Sequence, residues 1–228
     1  MKTLHMITAD PARTPTFTMF AHPDYFLFAG APNCTTPCVT VPTTPPTFAW
    51  NHGSIEPEIA TTWLGMVGPG VRNLSQDSTT WADHTDVRPT ILSLLGLRDD
   101  YLHDGRVLLE PLHAVAVPAS LRAHRATLLR LGAAYKQLNA PFGAFSRATL
   151  VASTRALKSG DPAGDATYTT IENRISSLTA ARDALAAQIR AALEAAAFGG
   201  QALNEQQAKR YIDQAETLIK EAAGLAGR

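Results

Sequence analysis

The sequence predicts an α/β fold, a partial sheet with helices over residues 1–113, followed by an α-helical hairpin region over residues 114–228. Three observations point there. Residues 1–113 alternate short β-favouring runs with Pro- and Gly-rich turns, the punctuation of strands and loops. After Pro118 the turns thin out and apolar residues recur at steps of 3 and 4, the helical period. The charge changes at the same place: residues 1–113 carry 6 Lys+Arg and 11 Asp+Glu, against 14 and 9 in residues 114–228. Six of the seven histidines lie in the acidic part, so two modules are expected.

In chain order, Thr16–Ala21 is rich in β-formers and reads as a strand, followed beyond Pro23-Asp24 by the apolar run Tyr25–Phe28. Residues 30–47 hold five prolines and six threonines and read as an irregular surface loop, with Val39–Val41 an edge strand. Phe48–Trp50 ends a strand and leads into the turn Asn51-His52-Gly53. Thr61–Val67 reads as a buried strand stopped by Gly68-Pro69-Gly70. A helix over Val87–Leu97 is capped by Thr85 or Asp86, has Pro89 in its first turn and ends at Gly96. Val87, Ile91, Leu94 and Leu95 fall on one face, which is the face expected to be buried. Asp104-Gly105-Arg106 is a tight turn.

In the second part Leu121, Leu128, Leu131 and Tyr135 support a helix of about four turns, Pro141 interrupts, and Phe145–Lys158 is a second helix. Ile171, Ile175, Leu178, Leu185 and Ile189 then form a coiled-coil-like seam in which Arg182 is the exception. Phe198-Gly199-Gly200 breaks it, and Asn204 with Gln207 makes a helix-start signature. The expectation is an antiparallel helix pair at about 168–226.

Composition narrows the function. A chain of 228 residues that is 45% hydrophobic and 18% charged can bury a core. Zero net charge, with acids interleaved among the arginines of the second half, speaks against nucleic acid as a partner. No apolar run is long enough to span a membrane, and the first residues, MKTLHMITADPART, lack the apolar core of a secretory signal. Cys34 and Cys38, in CTTPC, have no second ligand pair for zinc and read as two small loop residues, with a local disulfide as the alternative.

The candidate ligands in the acidic part are His52 and His84 with Asp83, Asp86, Glu56 and Glu58, since imidazole and carboxylate together suit zinc and carboxylate-rich sites also suit manganese or magnesium. For Asp86, capping the following helix is favoured over ligation. Neither a G-x-S-x-G nucleophile turn nor a phosphate-binding glycine loop occurs.

The ordered elements Asn51-His52-Gly53, Gly68-Pro69-Gly70, Asp86-Val87-Arg88-Pro89-Thr90 and Gly96-Leu97 resemble the C-terminal end of the alkaline phosphatase superfamily. The nearest branches are the type I phosphodiesterase/nucleotide pyrophosphatase and sulfatase-like enzymes. The resemblance covers residues 48–112 and implies a two-metal hydrolase of phosphate or sulfate esters, with zinc, or else manganese, activating the nucleophile and steadying the leaving oxygen. It carries His52 over as a metal ligand and implies a mainly structural role for His84 and Asp86 at the helix-opening motif. The family's nucleophile, its Asp-x-x-x-His pair and its Asp-His pair have no counterpart among the 51 residues before His52. The resemblance therefore implies a C-terminal portion that lacks the nucleophile and most metal ligands, binds metal weakly alone, and self-associates or joins a missing N-terminal portion through an incomplete sheet. The family is often exported. The alternative is a non-catalytic helical interaction module acting through the 168–226 hairpin.

Overall fold

The computed structural model describes residues 1–23, 25, 27, 33–35, 38, 53–159 and 165–227. These residues are about 57% helical and contain no sheet, so the predicted α/β fold is corrected to a predominantly helical one. Residues 16–21 and 61–67 form no strand; Phe17, Met19, Trp63, Leu64 and Val67 are exposed. The reason is a missing neighbour. A β-favouring run becomes a strand only when its backbone finds a ladder partner. Among the described residues the sole such pairing is one antiparallel bridge between Val71 and Leu112. Val39–Val41, Phe48–Trp50 and His52 lie outside the described residues.

Contacts divide the chain into Met1–Arg13 with Met66–Arg228, and Thr14–Gly65. The Thr14–Gly65 unit contains a short helix, α1 (Pro57–Ala60), and a disulfide between Cys34 and Cys38, the alternative that the CTTPC spacing left open.

The larger unit is a helical bundle. Its elements are α2 (Val87–Leu95), α3 (Ala119–Arg122), α4 (Arg125–Asn139), α5 (Ala144–Lys158), α6 (Ala166–Phe198) and α7 (Glu205–Leu225). The expected helix pair is present. Arg174 near the start of α6 pairs with Glu221 near the end of α7 at 3.2 Å, so the two run antiparallel. Asn204 caps α7, its Oδ1 accepting from the Gln207 backbone N–H at 3.0 Å.

Helices α4 and α5 follow one another along this hairpin as its third column. Ser120 Oγ, just before α4, donates to the carbonyl of Ala196 near the end of α6, Asn139 at the end of α4 meets Arg182 in mid-α6, and Ser153 of α5 meets Glu172 near the start of α6. The column breaks at 140–143, where Pro141 interrupts the helix and Gly143 passes so near the Lys136 and Gln137 carbonyls that a Cβ would lie 2.5 and 2.7 Å from their oxygens. The core runs through Leu128, Leu131, Leu138, Phe145, Leu185, Ile189, Ile212 and Ala215. Val107, Leu109 and Leu112 join the same core, ahead of the expected module boundary at residue 113. No helix among the described residues is long and apolar enough to cross a membrane.

Replacing Asn204 by alanine removes the α7 cap. It is expected to lower the unfolding free energy by about 1 kcal/mol in a urea titration, with an unchanged slope.

Candidate functional site

Two groups of polar side chains are built into the larger unit. The first gathers Asp83 and Asp86, candidate ligands of the sequence. A single 3-10 turn, His84–Asp86, precedes α2; Asp86 holds the N-cap position of α2, as expected, but makes no side-chain cap bond to it, and Asp83 caps the 3-10 turn. Asp83 Oδ1 accepts from the Thr85 N–H at 2.9 Å while Asp86 Oδ2 accepts from the Asp83 N–H at 3.0 Å, a reciprocal capping box. Lys136, on α4, then inserts its ammonium between the two carboxylates, 2.7 Å from Asp83 Oδ2 and 3.1 Å from Asp86 Oδ1. Both Asp86 and Lys136 are buried. The Arg106 backbone N–H donates to the same Asp86 Oδ1 at 2.8 Å. Gly105 makes that approach feasible, since a Cβ there would lie 2.0 Å from the Thr85 carbonyl oxygen. Burial pushes the Asp83 carboxyl up, but the Lys136 charge and hydrogen bond, joined by Thr85, outweigh it and hold the carboxyl below its ordinary value.

These acids are engaged by a lysine and by backbone amides, an arrangement that does not fit a metal centre. His84 is exposed, and Glu56 accepts a hydrogen bond from Ser54 two residues away. Glu58 is exposed on α1. Among the described residues no group of three or more His, Cys, Asp or Glu could hold a metal ion. His52, the ligand that the resemblance singles out, lies outside the described residues.

The lock orients α2 inside out. Asp86, Pro89, Thr90 and Ser93 are buried, and the Thr90 hydroxyl donates to the Asp86 carbonyl at 2.7 Å while accepting from the Leu108 N–H at 2.9 Å. Ile91 and Leu95, expected on the core side, are 49% and 64% exposed, while Val87 and Leu94 are half-buried. Arg88 extends the outer face: it pairs with Asp99 and lies 4.9 Å from the centre of the Tyr101 ring, bringing the 99–101 turn beside the helix. Leu97 and Tyr101 are exposed as well.

The second group surrounds an open cleft of about 390 Å³ between the end of α4, the middle of α6 and residues 2–7. Arg182 forms its floor, buried, with Nη1 donating to Asn139 Oδ1 at 2.8 Å and lying 3.2 Å from His5 Nε2. Because a guanidinium only donates, His5 accepts with Nε2 and is held neutral. Burial and then the Arg182 charge lower the His5 pKa accordingly. Tyr135 accepts from Asn139 Nδ2 at 3.2 Å and donates to the Asp104 carbonyl at 3.0 Å; burial and the Asp104 charge raise its pKa. Arg182 stands in register with the seam Ile175, Leu178, Leu185 and Ile189, which was the signal available in the sequence: a charged residue at a core step needs a buried partner. Lys136 carried no such mark, because its partners lie 50 and 53 positions away.

Comparison with protein-family models, curated proteins and solved structures found no match to this chain. The alkaline phosphatase resemblance rests on its motif residues.

Replacing Lys136 by methionine strands the buried Asp86 carboxylate and is expected to cost about 3–5 kcal/mol in urea unfolding at neutral pH. The acid limb changes too. The folded Asp83 pKa is depressed, so its contribution is complete above the ordinary value of 3.8 and is lost as pH falls through the lower folded value. In K136M the fall in stability below that pH becomes shallower, as measured by unfolding midpoints across the acid range.

Proposed function

We propose that this chain is a non-catalytic helical module of a metal-dependent phosphoric-ester hydrolase, docking onto the catalytic portion through the outer face of α2. The inverted helix carries the docking face: Asp86, Thr90 and Ser93 point inward, leaving Ile91 and Leu95 with Leu97 and Tyr101 toward solvent. Apolar side chains grouped on one outer face favour a protein partner. The choice of partner rests on the resemblance of residues 48–112, in which the Asp86–Thr90 motif is implied to be structural. Its engagement with Lys136, Leu108 and Arg106 supports that role. In this reading the nucleophile and remaining metal ligands belong to the catalytic portion, and His52 is the ligand that this chain contributes. The helix pair is less suited to docking, because Ile175, Leu178, Leu185 and Ile189 are already buried within the chain.

The isolated chain is expected to hydrolyse para-nitrophenyl phosphate negligibly, with or without zinc or manganese. Robust metal-dependent turnover that disappears in His52→Ala would overturn the non-catalytic reading. The Ile91→Glu/Leu95→Glu double variant is expected to keep its helical circular dichroism and to unfold within about 1 kcal/mol of the parent. The parent is expected to self-associate in sedimentation velocity at high concentration, and the double variant to stay monomeric. A parent that stays monomeric and binds no apolar dye would remove the docking face.

A further inference from the structure

The cleft at the end of α4 has no part in that reading, and its walls are unusually well ordered by one another. Asn139 and Tyr135 fix the inner end of a hydrogen-bonded chain that runs from Arg182 to the Asp104 carbonyl. At the rim, Lys2 Nζ lies 3.0 Å from Asp183 Oδ2, and Arg190 Nη1 lies 2.7 Å from Asp104 Oδ1. Arg182 Nε is 3.0 Å from Asp183 Oδ1, but in a direction that makes no hydrogen bond, so a buried guanidinium N–H remains unsatisfied. An unsatisfied buried donor costs free energy that an acceptor from outside would recover.

The charge balance says what that acceptor is. The titratable groups around the cleft are Lys2, His5, Asp104, Tyr135, Arg182, Asp183 and Arg190. With His5 and Tyr135 neutral, three cations face two carboxylates, leaving one positive charge. A single negative charge restores neutrality, whereas a phosphate dianion overshoots it. The planar fork of a guanidinium also matches a carboxylate. Ile7, Ala186 and Ala187 add an apolar wall beside the charges. A volume of about 390 Å³ lies within the range of small-molecule sites.

We propose that the cleft at the end of α4 is a binding site for a small monocarboxylate with an apolar body, its carboxylate meeting Arg182 and Arg190 and its body lying against Ile7, Ala186 and Ala187. The volume and the apolar wall favour an aromatic or branched acid over a two-carbon one. His5 serves as a fixed neutral acceptor that, with Asn139, holds Arg182 Nη1 in place.

Titration of the full chain with sodium benzoate, sodium acetate and inorganic phosphate against a sodium chloride control, followed by amide NMR shifts, tests this. Benzoate is expected to saturate with a Kd of about 1–10 mM, with shifts centred on His5, Asn139 and Ala186. Acetate should bind several-fold more weakly, and phosphate should not differ from chloride. Substitution of Arg182 risks the bundle itself, so the informative variants are at the rim: Arg190→Gln should weaken benzoate about fivefold or more with the amide spectrum otherwise intact. Ile7→Ser, at a half-exposed position, should weaken benzoate but leave acetate unchanged. Absence of saturation by benzoate, equal affinity in R190Q, or phosphate binding as tightly as benzoate would each overturn the assignment.

Discussion

A lysine ammonium buried between two aspartates decides how the first half of the larger unit meets the second. Lys136 belongs to α4, whereas Asp83 and Asp86 belong to the turn that opens α2, so the pair joins segments some fifty residues apart. Taking these charges out of water is costly, and only a closely satisfied arrangement offsets that cost. The satisfaction is near complete here: both Asp86 oxygens accept backbone amides, and Gly105 admits the backbone that supplies one of them. Once Asp86 must face inward, helical periodicity drags Thr90 and Ser93 inward with it and turns Ile91 and Leu95 out. The exposed apolar face is thus a consequence of the buried charge.

A second buried cation governs the bundle. Helix α6 runs unbroken past the point where its neighbouring column stops at Asn139 and restarts at Ala144. Two helix ends meeting inside a bundle leave backbone polar groups and space that apolar side chains fill badly. Arg182 occupies that place, bonded to the last residue of α4 and 5.8 Å from the centre of the Phe145 ring at the start of α5. The cleft opens beside the α4 end of that joint, walled by the last turn of α4, by α6 and by residues 2–7, with Arg182 lining both.

How much of this was legible in the chain differs by element. The helices α4 to α7, the break near Pro141, the Asn204 cap and the Gly96 stop were all readable, because local periodicity and capping chemistry act within a few residues. Residues 16–21 and 61–67, where the composition predicts strands, form none. β-propensity there is genuine, but a strand is a relation between two segments, and the described chain pairs only Val71 with Leu112. The Cys34–Cys38 bridge likewise depended on conditions that spacing leaves open.

The α2 stripe is the most instructive case. Val87, Ile91, Leu94 and Leu95 do share a face, as the periodicity says, yet periodicity is silent about which way a helix turns when its other face carries a buried carboxylate. Sequence by itself determined the long helices of the bundle and which residues lie together on each face, because those properties are set by near neighbours along the chain, although the single helix expected from Leu121 to Tyr135 breaks at Ala123-His124. Only the tertiary structure decided which face is inside, that Arg182 lies buried at a joint, and that the acids of the helix-opening turn belong to Lys136. Each of those depends on a partner dozens of residues away, brought close by packing alone.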